Sequence, residues 1–225
     1  MKNFLMVSLV ALFAAASVHA GIPRQTAVER VESCEAVWQE FQRRPETAVP
    51  PAVLQRAKAL IILNQFKAGA VLGVKDGYGV IMVKKADGRW SLPVLINAGE
   101  TSLGLQLGAN AMTSILVITD EKLPRVLFNQ RFNLGVDAKA VAGPNAAEKE
   151  NFNEAILTTP ILAYTKSVGL FVGATIKAGH ISRDDEANYV LYGTKYTMPE
   201  LLYGDFVQPV KEVEPLMRQV QAAAP

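Results

Sequence analysis

Residues 67–90, KAGAVLGVKDGYGVIMVKKADGRW, carry glycines at Gly69, Gly73, Gly77, Gly79 and Gly88. Glycine at this density fits either a phosphate-cradling loop or strands that bend and pack closely. A dinucleotide fingerprint needs G-x-G-x-x-G between a strand and a helix. The spacing here differs, and Val80-Ile81-Met82-Val83 after Gly79 has the texture of a strand. A P-loop ends in Gly-Lys-Ser/Thr, a triplet found nowhere in the chain. The stretch therefore reads as β-structure in which glycine permits bends or close backbone approach. Asp87-Gly88, between the runs Tyr78–Lys85 and Arg89–Ile96, is a hairpin signal.

Upstream, Thr26–Arg44 repeats Val28, Val31, Cys34, Val37 or Trp38, and Phe41 at three- and four-residue steps, with charged residues between them. That period predicts an amphipathic helix ended by Pro45. Pro51 opens a second helix through Ala59, and Leu60–Leu63 begins the β-rich part. Downstream, Leu103–Ile118 reads as a long strand or a bent pair with Gly104 and Gly108 at the bend. A short helix follows from Asp120 to about Asn129, and Phe132–Val141 returns to strand. Ala146–Glu154 is read as loop or short helix. Ile161–Lys166 and Val168–Ile181 read as a second hairpin or a crossing pair. Ser182 with Asp184, Asp185 and Glu186 marks a capped helix start that stops near Gly193. Pro199–Tyr203 and Pro209–Ala223 are further helices. The fold class is α+β: a strongly curved or barrel-like, mostly antiparallel sheet with N-terminal and C-terminal helices.

The first 20 residues have the three parts of a secretory signal peptide: Lys2, the apolar run Phe4–Ala16, and small residues before Gly21. The apolar run is shorter than the roughly 20 residues a spanning helix needs. Removing the leader takes one of 23 basic residues and leaves 22 against 21 acidic ones. Nucleic-acid binders show a basic excess, so a nucleic-acid partner is not expected. The expected location is the periplasm or cell envelope, peripheral to a membrane if bound to one. Cys34 is the single cysteine, so an exported chain would have no internal disulfide. Its apolar neighbours predict a buried, inert thiol.

Catalytic chemistry finds little to work with. His19 leaves with the leader, so His180 is the one imidazole of the mature chain, and a packed or surface role suits it better than a triad. One His and one Cys serve zinc poorly. Asp184-Asp185-Glu186-Ala187-Asn188 offers oxygen ligands but lacks the glycine and distal glutamate of an EF-hand. Helix-start acidity explains it without a metal. No enzyme activity, cofactor or metal is expected. The amphipathic helix either covers the sheet or lies on a bilayer with Trp38 and Phe41 inserted and Arg43-Arg44 near headgroups.

Several short segments occur together in order. They are Ala57-Lys58-Ala59-Leu60 leading to Lys67-Ala68-Gly69, then Gly77-Tyr78-Gly79-Val80, and Gly88-Arg89-Trp90-Ser91-Leu92-Pro93. Gly104–Ala109, Leu134–Asp137 and Ala142-Gly143-Pro144 follow, then Tyr164–Gly173, Asp185-Glu186-Ala187-Asn188 and Tyr192-Gly193. Over about residues 50–205 this series resembles the SYLF domain family. The resemblance implies phospholipid binding, partly through an amphipathic helix ahead of the domain, and in some eukaryotic members actin binding. It implies no catalytic residues. Unlike the trafficking members, this sequence starts with an export signal and shows no SH3 or FYVE domain.

The chain is accordingly divided into a removed signal peptide at 1–20, an N-terminal amphipathic helix at 21–49 and an SYLF-like α+β domain at 50–225. The expected function is non-enzymatic binding of phospholipid or a membrane surface in the cell envelope; a protein partner stays open. Expected lipid-contact residues are Val31, Trp38 and Phe41 on the helix, with Arg43, Arg44, Lys58 and Lys67 as headgroup partners. Two alternatives stand beside it: a soluble carrier holding an apolar ligand inside the curved sheet, and a hydrolase with an unrecognised acidic site.

Overall fold

In the computed structural model, the structure describes residues 21–68, 72–103, 110–126, 132–133, 140–143, 157–167 and 180–225. The leader, Gly69, Gly104, Gly108, the segments 134–137 and 146–154 and most of the expected 168–181 strand lie outside them.

Helix α1 (Arg24–Gln42) and the short α2 (Pro51–Gln55) precede an eight-stranded sheet. Its strands are β1 (Ala59–Ala68), β2 (Leu72–Val83), β3 (Val94–Leu103), β4 (Asn110–Ile118), β5 (Phe132–Asn133), β6 (Ala140–Ala142), β7 (Ile161–Ser167) and β8 (His180–Arg183). The helices α3 (Leu123–Val126), α4 (Asp185–Tyr192), α5 (Met198–Tyr203) and α6 (Glu214–Ala223) complete the described elements. The spatial order is β5-β8-β3-β2-β1-β4-β7-β6, antiparallel throughout except for the parallel β6–β7 pair.

The sheet's curvature follows from that order. β5 and β6 lie on opposite edges, yet only residues 134–139 separate them in sequence. An extended chain of that length reaches about 25 Å at most. Eight flat strands would hold the edges about 33 Å apart, so the sheet must curl. The same order corrects two expectations. Phe132–Val141 is not one strand, since its two ends belong to opposite edges. Leu103–Ile118 is not one strand either, because β2 and β1 lie between β3 and β4. β7 and β8 are not neighbours, since four strands separate them; the expected pairing of Ile161–Lys166 with Val168–Ile181 falls mostly outside the described residues. In the two runs corrected above, the ends belong to strands that are not adjacent in the sheet.

Within the glycine-rich stretch, residues 72–83 form β2, as their texture predicts. A Cβ on Gly79 would lie 2.3 Å from the Ile62 carbonyl oxygen, and one on Gly77 2.7 Å from that of Asn64. Close approach of β2 to β1 therefore requires glycine at both positions. Gly88 has φ +83°, the left-handed turn residue that Asp-Gly predicted. The hairpin is less regular than expected. Between the pairs Lys84↔Trp90 and Ile81↔Val94, residues 82–83 face 91–93. That extra residue makes a bulge, and it accommodates Pro93, which has no N–H to give to a ladder.

Leu60–Leu63 is continuously apolar because both faces of the sheet's centre are covered, and all four residues are buried. On one face, α1 crosses β3, β2, β1 and β4. Ala27, Val28, Val31, Cys34, Val37, Trp38 and Phe41 are buried along its inner side. Its polar flank follows one transverse row of the sheet, in register across six strands: Ser182, Asn97, Tyr78, Asn64, Thr113 and Lys166. Ser33 accepts hydrogen bonds from Asn64 at 2.7 Å and Tyr78 at 3.2 Å, and Glu40 pairs with Lys166. Helix and sheet share one core.

Candidate functional site

Val31, Trp38 and Phe41 are brought together, but inside the core. In this conformation the apolar stripe covers the sheet, and bilayer contact by these three would require α1 to leave it. Arg43 and Arg44, just past α1, and Lys58, at the entry to β1, are exposed and form no ion pair among the described residues. Lys67 is a β1 position paired with Lys75 and Asn110, and its side chain lies outside the described ones.

The reactive groups have structural roles. Cys34 is fully buried, and desolvation pushes its thiol up to about 12. His180 lies so close over Gly99 that a Cβ there would meet its ring at 2.6 Å. Asp184 caps α4 by accepting from Ala187 N at 3.0 Å, and its other oxygen pairs with Arg30 at 2.7 Å. Glu186 accepts from Ile22 N at 2.9 Å. Among the described residues, no group of three or more His, Cys, Asp or Glu side chains could hold a metal ion.

Helix α4 is fixed to the sheet by side chains that imitate a strand. β8 ends at Arg183 opposite Ile96, which leaves Leu95 at an open edge. Asn188 fills the gap: its Oδ1 accepts from Leu95 N at 2.7 Å, and its Nδ2 donates to the Leu95 carbonyl at 2.8 Å. One turn later the Tyr192 hydroxyl donates to the Pro93 carbonyl at 2.6 Å. Gly193, with φ +65°, then ends the helix in the left-handed conformation. The Asp185–Asn188 and Tyr192-Gly193 motifs are thus a docking device.

What that device presents is a surface the sequence reading missed. With Asn188 and Tyr192 turned inward, Tyr189 points out, 48% exposed. The other exposed large apolar side chains among the described residues are Tyr196 at 41% and Phe206 at 68%. The three form one patch. Tyr189 and Tyr196 share a pocket of about 420 Å³ with Lys195, and Tyr196 stacks on Phe206 with ring centroids 5.5 Å apart. The available signal was aromatic residues in the Gly/Pro/Thr-rich connections after Gly193, where a core role has no period to support it.

Beside the patch, the 204–209 loop walls a groove of about 920 Å³ together with the β2–β3 turn and α6. Its lining includes Trp90, Leu92, Val207, Pro209 and Met217. Trp90 is held by an indole N–H donated to the Ala224 carbonyl at 2.7 Å. At the rim, Asp205 Oδ1 accepts from Lys85 Nζ at 2.8 Å and Arg89 Nη2 at 3.4 Å. Lys85 holds the Asp205 carboxyl below its usual range, and Arg89 adds to that.

An α+β domain with a buried thiol, a half-buried histidine packed on Gly99 and an exposed aromatic surface has the features of a binding domain. The chain belongs to the Ysc84 (SYLF) family. The family model described as Ysc84, Las17-binding protein actin regulator, matches residues 99–223. LAS seventeen-binding protein 3 of Saccharomyces cerevisiae is 31% identical over 182 residues, 80% of this chain and 39% of the yeast protein. An SH3 domain-containing protein of Schizosaccharomyces pombe is 30% identical over 177 residues, covering 77% of this chain and 41% of that protein. The SH3 domain-containing YSC84-like protein 1 of Bos taurus is 25% identical over 168 residues, 74% and 49% respectively. The chain spans less than half the length of these relatives, which are named as binding or SH3-containing proteins.

Proposed function

We propose that this chain is a non-enzymatic lipid- or membrane-surface-binding protein, exported to the cell envelope. The observation that carries the reading is the Tyr189–Tyr196–Phe206 patch. Aromatic side chains with an apolar body and, in tyrosine, a polar tip favour the boundary between water and hydrocarbon. Lys195 beside them offers a cation to a headgroup, with Asp185 and Glu186 in the same pocket. Supporting the reading, the apolar stripe of α1 is already occupied by the sheet, so among the described residues the aromatic patch is the exposed apolar surface available without rearrangement. The leader-like N-terminus supports export.

Co-sedimentation of the purified protein with phosphatidylcholine–phosphatidylglycerol vesicles tests it. Replacing both Tyr196 and Phe206 with serine should reduce the bound fraction about tenfold or more, since burying one such ring is worth about 1.5–3 kcal/mol. Absence of binding, or binding indifferent to the double substitution, would count against the patch. A protein partner is a second reading, favoured by the name of the yeast relative. A vesicle-inert protein whose patch variants lose a protein contact would support it.

A further inference from the structure

We propose that the groove between the β2–β3 turn, the 204–209 loop and α6 binds a single-chain amphiphile with a carboxylate or phosphate head. This rests on the lipid reading above and names the class of lipid that the protein would hold.

The groove has the two parts such a ligand needs. Trp90, Leu92, Val207 and Met217 supply an apolar trough, and its volume lies in the usual range for small-molecule sites. The head position is marked by Asp205. Its carboxylate sits where an incoming anion would, receiving Lys85 and Arg89 together. The Lys85 side chain is largely covered, and its ammonium also donates to the Gly204 carbonyl at 2.8 Å, so this cation is fixed in place. Asp205, by contrast, is exposed on a loop, and exposed ion pairs are weak and exchangeable. A ligand's carboxylate or phosphate can take the two cations while Asp205 turns to solvent.

Charge decides against a cationic head. At rest the rim is balanced, with Arg218 paired to Glu214 and Arg89 shared between Asp87 and Asp205. Displacing Asp205 frees positive charge at the head position. Asp205 is followed directly by Phe206, the most exposed ring of the aromatic patch. Contact of Phe206 with a membrane would therefore act on the same loop that carries the resident carboxylate.

The test titrates the full chain with laurate, dodecyl phosphate and dodecyltrimethylammonium below their micellar concentrations. Bromine-labelled stearate reports on contact by quenching Trp90. The two anionic probes should bind at one per chain, at least tenfold more tightly than the cationic one. Asp205→Asn should tighten anionic binding about two- to fivefold and Arg89→Ala weaken it by a similar factor. Met217→Trp, which fills the trough, should abolish binding with circular dichroism unchanged. Equal affinity for both head charges, or indifference to Asp205→Asn and Met217→Trp, overturns the groove. Running vesicle co-sedimentation alongside separates the two ideas. If vesicles bind and the probes do not, the groove is wrong and the surface reading stands. If the probes bind and vesicles do not, the surface reading falls and the groove stands.

Discussion

Asn188 satisfies both backbone groups of Leu95, donating to its carbonyl and accepting from its N–H across 93 residues of sequence. A single amide replaces the strand that β8 is too short to provide. Replacing Asn188 with leucine leaves a buried donor and a buried acceptor without partners. The expected loss is about 2–4 kcal/mol, read as a lower urea midpoint. Asn188→Asp keeps an acceptor but, when ionised, has no donor for the Leu95 carbonyl, and protonation restores an O–H donor, so this variant should lie closer to native stability in acid than at neutral pH.

Gly79 and Gly88 look alike in sequence and should respond differently to alanine. At Gly79 the added carbon meets the Ile62 carbonyl oxygen at 2.3 Å, so β1 and β2 must separate. A cost of about 2–4 kcal/mol is expected, at or above the usual range for overpacking. At Gly88 nothing lies within 4 Å, and only the left-handed conformation is penalised, by about 1 kcal/mol. Thermal unfolding of the two variants should rank them in that order.

The Cys34 thiol sets a pH dependence. Its pKa is about 12 in the folded protein against about 8.5 in an unfolded chain. Above pH 8.5 the unfolded state releases this proton and the native state keeps it, so stability falls as pH rises from about 9 toward 12. Burial also raises Tyr192, which acts in the same direction. Cys34→Ala should flatten part of the decline. Native Cys34 should resist a thiol reagent at pH 8 and react once denaturant is added.

Asp184 joins α1 to α4 through two separable contacts. Asp184→Asn keeps an acceptor for Ala187 N and loses the charge facing Arg30, whereas Asp184→Ala loses both. The difference between the native protein and Asp184→Asn isolates the ion pair, and that between the two variants isolates the cap, which should contribute about 1 kcal/mol. If a double-mutant cycle with Arg30→Ala shows no coupling, the contact does not hold α1 in place.

The local signals were legible because each had a local cause. The 3.6 period placed α1, Ser182 with the acidic run after it and Gly193 bounded α4 to within two residues of its Asp184 cap, and Asp87-Gly88 marked the turn. The order of strands was not legible, since β5 and β6 are close in sequence and lie on opposite edges. No pattern in Phe132–Val141 distinguishes a continuous strand from a crossing. The fate of α1's apolar stripe was equally hidden, because a sheet and a bilayer ask for the same residues. The aromatic patch escaped because Tyr189 is exposed only once Asn188 and Tyr192, four residues apart, have both been committed to β3.

The short link between β5 and β6 has a consequence for how the molecule is made. Each edge strand pairs only with a partner supplied later in the chain, β6 with Ile161–Ala163 and β5 with His180–Ile181. The β6 border cannot be sealed until synthesis has passed residues 161–167, nor the β5 border until it has passed residue 180. Until then β4 and β3, respectively, present open edges, and pairing at long sequence separation is slow. For the export proposed above, such a delay would be an advantage, since translocation requires a polypeptide that has not yet closed on itself.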